Sequence, residues 1–211
     1  MVKAEPNKSS GNWWERQKTY EKVLIILASI ILVPIIWGVI FGSSNVSTES
    51  GVLLNKSYDI RLCQYELVSY YNTDQYILFN QKVNSCITKI NELQVEIEKN
   101  ILSETDETLK KEYQAMKLDV SGSAIYMNIL TIEVSILSSE DGSLSQEQYK
   151  TKIDSIKYLY TQYLDILDKL EKQYSDTSFF KNNYGTKEGR ELLQQAKANA
   201  QASLDDYNNL T

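Results

Sequence analysis

The chain has 211 residues, 42% of them hydrophobic and 24% charged, with a formal net charge of −6, enough for one membrane segment and one domain with its own core. It contains no histidine, which removes the commonest general base near neutral pH, the Ser/His and Cys/His nucleophile pairs and His-containing zinc sites. Eight Gly and two Pro, Pro6 and Pro34, are too few for the many turns of sandwiches, barrels and α/β folds, so the expected class is all-α.

Residues 1–22 carry Lys3, Lys8, Arg16, Lys18 and Lys22 and read as a short cytoplasmic leader. Residues 23–41 are uncharged, VLIILASIILVPIIWGVIF, and as a helix rise about 28 Å, close to the thickness of the hydrocarbon core. A single transmembrane helix is therefore predicted over 23–42, kinked at Pro34. Trp13, Trp14, Tyr20 and Trp37 lie near its ends, where amphipathic rings favour the headgroup zone. Five cations precede the span and only Lys56 and Arg61 follow it closely, so the N-terminus is expected in the cytoplasm and the rest of the chain outside, in a single-pass signal-anchor topology. Cleavage as a signal peptide at Gly42-Ser43-Ser44 is the alternative; an apolar core longer than the usual ~7–15 residues favours an uncleaved anchor. Gly38 and Gly42 form a GxxxG pair suited to close packing of two membrane helices, although Gly42 equally serves to end the span.

A neck rich in Ser, Thr, Asn and Gly is predicted over 43–52, followed over 53–211 by an extracytoplasmic antiparallel bundle of four to five helices. Asn45 and Asn55 begin N-x-Ser sequons near the neck, and Asn209 begins another; the first two are the better candidates for glycosylation.

The first helical stripe is Ile60, Cys63, Leu67 and Tyr70, and the second is Phe79, Val83, Cys86, Ile90, Leu93 and Ile97. They do not share a phase: extending the first lands on Gln81 and Ser85, so a break or change of face is expected near Asn72-Thr73-Asp74. On one unbroken helix Cys63 and Cys86 would stand about 34 Å apart. A hairpin centred near Asp74 or Gln75 would set them side by side in a compartment permissive for a disulfide. The alternative is two small apolar residues buried in a seam.

A third helix is predicted over 105–137 on the stripe Leu109, Tyr113, Met116, Val120, Ser123, Met127, Leu130, Val134 and Leu137. Its Ser121-Gly122-Ser123-Ala124 patch reads as small residues facing large neighbours in preference to a hinge. A turn over 139–143 leads to a fourth helix over 145–175, opened by a Ser145/Gln148 capping box and carrying Tyr149, Ile153, Ile156, Tyr160, Tyr163, Leu167, Leu170 and Tyr174. Residues 176–189 read as a loop that packs Phe179, Phe180 and Tyr184 on the bundle. The last helix has a narrower stripe of Leu193, Ala196, Ala200, Leu204 and Tyr207.

No constellation points to catalysis, and no cofactor is expected. The acidic groups Glu104-Asp106-Glu107, Glu140-Asp141 and Asp205-Asp206 lack the ligand spacing of an EF-hand and read as helix starts, turns and solvated faces. The fifteen tyrosines fit core stripes, apart from Tyr65, Tyr70, Tyr71 and Tyr76, which suggest an aromatic contact surface near the break. Residues 1–42 hold five Lys/Arg and three Glu, leaving 17 basic against 25 acidic residues and a net −8 for the remainder, a balance that repels nucleic acid. The expected partners are the lipid bilayer and other membrane proteins or a second copy. The first expectation is an interaction or scaffold protein, an accessory or structural subunit of an envelope-associated membrane complex, with an exposed apolar or aromatic strip. The alternative is an extracytoplasmic sensory or ligand-binding domain signalling through a partner. In architecture alone such a bundle resembles the periplasmic input domains of chemoreceptors and sensor kinases, from which this chain departs in having no returning membrane helix and only a short leader.

Overall fold

The structure, a computed structural model, describes residues 48–139 and 144–210. The predicted span, Gly38, Gly42, Asn45 and most of the turn over 139–143 lie outside the described residues. Within them the chain forms six helices and no strand: α1 Thr48–Asn72, α2 Tyr76–Ser103, α3 Glu107–Leu137, α4 Gln146–Gln173, α5 Ser178–Tyr184 and α6 Lys187–Asn208.

Two expectations need correction. α1 begins at Thr48, so the second half of the supposed neck is helical and Asn55 is an exposed residue on a helix, with its sequon partner Ser57 buried. The bundle has six helices among the described residues because a seven-residue helix, α5, occupies part of the stretch read as a loop. At two turns α5 is too short for periodicity to reveal. Its N-terminus is capped twice: Thr177 Oγ1 accepts from Phe180 N–H at 3.1 Å, and the Glu112 carboxylate of α3 accepts from Ser178 and Phe179 N–H at 2.5 and 2.7 Å. Together these satisfy the orphan donors of its first turn.

The break between α1 and α2 is a Schellman turn. Asp74 takes the left-handed conformation, φ 56°, while Gln75 N–H donates to Tyr70 O at 2.9 Å and Asp74 N–H to Tyr71 O at 3.3 Å. Its carboxylate accepts from the Tyr76 hydroxyl at 2.7 Å, bracing the turn. The hairpin that results pairs Lys56 with Glu96 and Glu66 with Lys82. It also places Cys63 beside Cys86 as a disulfide, with Cα atoms 5.8 Å apart.

Antiparallel pairing continues along the chain. Gln94 of α2 donates to Ser121 of α3, Tyr126 of α3 lies 6.0 Å from Tyr163 of α4, and Tyr160 of α4 lies 6.0 Å from Tyr207 of α6, centroid to centroid. α3 is the central strut, in contact with α1, α2, α4 and α5. Among the described residues it is also the one helix long and apolar enough by length and composition to cross a membrane, a consequence of being buried on two faces. The predicted stripe of Tyr113, Met116, Val120, Met127, Leu130 and Val134 packs into a core with Phe79, Ile90 and Leu67 of the first hairpin. A second face, Ala115, Asp119, Gly122, Tyr126, Ile129 and Glu133, is buried as well. There Ile129 joins a core with Ile153, Ile156, Tyr160, Ala200 and Tyr207, while Ile166, Leu170, Phe180 and Leu193 close the other end.

α4 opens on the reciprocal Ser145/Gln148 capping box: Ser145 N–H donates to Gln148 Oε1 at 2.8 Å and Gln148 N–H to Ser145 Oγ at 3.1 Å. α3 runs uninterrupted through Gly122, which is buried against the Ile166 and Tyr163 side chains. The patch around it therefore accommodates large neighbours on α4.

Candidate functional site

The second buried face of α3 carries two carboxylates, Asp119 and Glu133, separated by 14 residues, close to four helical turns. Asp119 faces the end of the bundle where α5 crosses. The Arg61 guanidinium of α1 donates from Nη2 to Asp119 Oδ2 at 3.0 Å and from Nη1 to Asn183 Oδ1 at 2.9 Å. The Tyr184 hydroxyl donates to the remaining carboxylate oxygen, Oδ1, at 2.5 Å. Burial opposes the charge on Arg61, but the adjacent Asp119 more than offsets it and holds the guanidinium ionised above its ordinary value. Burial, and then the Asp119 charge, push the Tyr184 phenol upward and keep it a donor. The Tyr58 ring lies 5.9 Å from the guanidinium carbon, a cation–π distance.

Beside this cluster lies a partly enclosed cavity of about 100 Å³, lined by Arg61, Asp119, Gly122, Tyr163, Tyr184 and Leu193 among others. Ligand pockets ordinarily run to roughly 300–1,000 Å³. The polar groups at its wall are directed at one another: Gln64 donates to the Ser123 carbonyl at 3.3 Å, and both carboxylate oxygens of Asp119 are engaged. The cluster ties α1, α3 and α5 into one body.

Glu133 sits in a different environment, 4% exposed and surrounded by tyrosines from every helix that meets there. Tyr207 of α6 donates to its Oε1 at 2.7 Å, and the Tyr71 hydroxyl of α1 approaches the same carboxylate. Burial, and then the charge of Glu133, raise Tyr126 of α3 and Tyr160 of α4. Burial pushes the Glu133 carboxyl up to about 7, against the opposing effect of the two hydroxyls. It does not line the cavity and lies enclosed in the core. Tyr71, read as part of an exposed aromatic surface, is buried against it.

Outside, the exposed large apolar side chains concentrate on the first hairpin: Val52, Leu62 and Tyr65 on α1 and Ile77, Leu78, Val95 and Leu102 on α2, against Leu109 on α3 and Tyr158 on α4. The outward face of α2 has a second property. Ile77, Asn80, Gln81, Asn84, Thr88, Asn91, Val95 and Leu102 are exposed and uncharged, with the exposed Lys89, Glu92 and Lys99 along one flank. α4, a helix of equal length, presents Lys150, Asp154, Asp165 and Lys169 outward in i,i+4 ion pairs.

Of the residues singled out from sequence, Cys63 and Cys86 come together on adjacent helices, whereas Asn55 stands alone on α1. Sequence reading missed Arg61, Asp119, Glu133, Asn183 and Tyr184 as interacting groups. The available signal was on α3, where Asp119 and Glu133 share a face with Ala115, Gly122, Tyr126 and Ile129. Among the described residues no three His, Cys, Asp or Glu side chains converge as a metal site. Comparison of the chain with models of known families, with characterised proteins and with solved structures finds no match.

Proposed function

We propose that the chain is a membrane-anchored helical interaction or scaffold protein, an accessory or structural subunit of an envelope-associated membrane complex. The observation that carries this reading is the crowding of seven exposed large apolar side chains onto the α1–α2 hairpin, out of nine among the described residues. Such a concentration supports a contact surface on this hairpin. The interior supports the same role: its two carboxylate centres are enclosed and hydrogen-bonded within the bundle, which stiffens a body whose working surface is its outside. The uncharged run over 23–41 supplies the anchor in this reading.

A sensory or ligand-binding role ranks second, supported by the cavity beside Arg61. Its volume of about 100 Å³ and the use of Arg61 donors by Asp119 and Asn183 place it behind the first. Affinity purification of the full chain from gently solubilised membranes separates the two. Recovery of a fixed set of membrane subunits, or of further copies of the chain, is expected; a lone monomer would overturn the scaffold reading.

A further inference from the structure

We infer that the outward face of α2 is the contact between two copies of this chain, packed side by side and parallel; the inference rests on the membrane-anchored reading and names its partner. Residues 77, 81, 84, 88, 91, 95, 98 and 102 follow one another in alternating steps of four and three, the spacing of a coiled-coil seam, over about 38 Å of helix. The core-facing stripe of the same helix is Phe79, Val83, Cys86, Ile90, Leu93 and Ile97. The outer seam is thus a second, unpartnered one on the opposite side.

Charge selects the occupant. Outside residues 1–42 the chain has a net −8, so two copies repel wherever ordinary surface meets ordinary surface. Along this seam the only charged position is Glu98, and the chain's own Lys117 already pairs with it. Beside the seam stand one exposed anion, Glu92, and one exposed cation, Lys99, too little net charge to select a basic partner, and an apolar helix or lipid would bury the amides of Gln81, Asn84 and Asn91 without partners. A second copy meets each of these conditions. In a parallel pair Ile77, Val95 and Leu102 each face their own counterpart near the two ends, and Asn84 and Asn91 pair amide to amide between them. Asn at such positions fixes register and partner number in parallel coiled coils.

The anchor selects the direction. Six residues, 42–47, separate the apolar run from the start of α1, a tether of at most about 25 Å. Copies held in one membrane therefore share an orientation, and the shared anchor raises their effective concentration.

Site-specific cross-linking in membranes containing the full chain tests this. Asn84→Cys, Asn91→Cys and Val95→Cys, made singly and oxidised with copper phenanthroline, are expected to give a band of twice the chain mass on a non-reducing gel. Tyr158→Cys on the outer face of α4 is expected to give none. Thr88→Glu, added to Asn84→Cys, sets like charges opposite each other and is expected to lower the dimer fraction by about tenfold with the helical circular dichroism spectrum unchanged. Cross-linking between co-expressed Ile77→Cys and Leu102→Cys chains would overturn the parallel arrangement. Cross-links to a protein of another mass, equal dimer formation from Tyr158→Cys, or none from the seam would overturn self-pairing. Alkaline carbonate washing separates the two levels. If the chain stays with the membrane but the seam does not cross-link, the inference alone falls; if washing releases the chain, the anchored reading fails and the parallel pair with it.

Discussion

Glu133 accepts a 2.7 Å hydrogen bond from Tyr207, but burial outweighs that bond and keeps the proton on the carboxyl up to about pH 7. Between its ordinary pKa of 4.5 and about 7 the folded protein carries a proton that the unfolded chain has released. Folding stability therefore falls as pH rises through this window, by about 3 kcal/mol in total from this group. Asp154, Asp168 and Asp176 act with the opposite sign. Hydrogen bonds from Lys150, Lys197 and Lys111 respectively hold them below 3.8, outside this window. Urea unfolding at pH 5 and pH 8 should show the difference, and Glu133→Gln should flatten it while stabilising the protein at pH 8. An unchanged slope in that variant would rule out Glu133 as its source.

Breaking the Arg61–Asp119 pair leaves one buried charge without its partner. Arg61→Met or Asp119→Leu alone is expected to cost about 3–5 kcal/mol in chemical denaturation. The double substitution should cost clearly less than the two added together, since neither charge then remains buried alone. Tyr184→Phe, which removes only the donor to Asp119 Oδ1, should cost about 1.5–3 kcal/mol, the range for a hydrogen bond to a charged group. Additive losses across the pair would contradict the coupling.

The Cys63–Cys86 bond spans 23 residues of sequence and closes the α1–α2 hairpin. By loop closure alone its removal should cost about 3 kcal/mol. Unfolding with and without reductant, or of the Cys63→Ala/Cys86→Ala chain, reads this directly. Equal midpoints with and without reductant would show that the hairpin is held without the bond.

How much of this was legible in sequence depended on how many faces of a helix are buried. α2 and α4 bury one stripe each, and Phe79 to Ile97 and Ile153 to Leu170 were readable from their spacing. The change of phase between Tyr70 and Phe79 likewise pointed to a break around 71–75, where the structure has the turn at Asp74. α3 was read by half: its second face interleaves with the first, and a central helix with two buried faces loses the polar side that makes a period visible. Asp119 and Glu133 were hidden for that reason, since a carboxylate in a long helix reads as solvated until its neighbours are known. Arg61 and Tyr184 reach Asp119 across 58 and 65 residues of sequence, and Asn183 meets Arg61 across 122, relationships no local pattern encodes. α5 was missed because two turns supply no repeat, and the cap that fixes it comes from Glu112, 66 residues away.

Asp74 offers a test of the turn that creates the hairpin. Its φ of 56° places it in the left-handed region, which costs an L-residue roughly 1–2 kcal/mol and is least costly for Gly, Asn and Asp. Asp74→Gly removes the Cβ clash but also the acceptor of the Tyr76 hydroxyl. That bond is exposed and worth less than the strain, so a net gain of about 0.5 kcal/mol is expected. Asp74→Val, branched at Cβ and without an acceptor, should lose about 1–2 kcal/mol. Thermal unfolding of the three chains should rank Gly above Asp above Val. If Val matched the parent, the left-handed turn would not be what sets the break between α1 and α2.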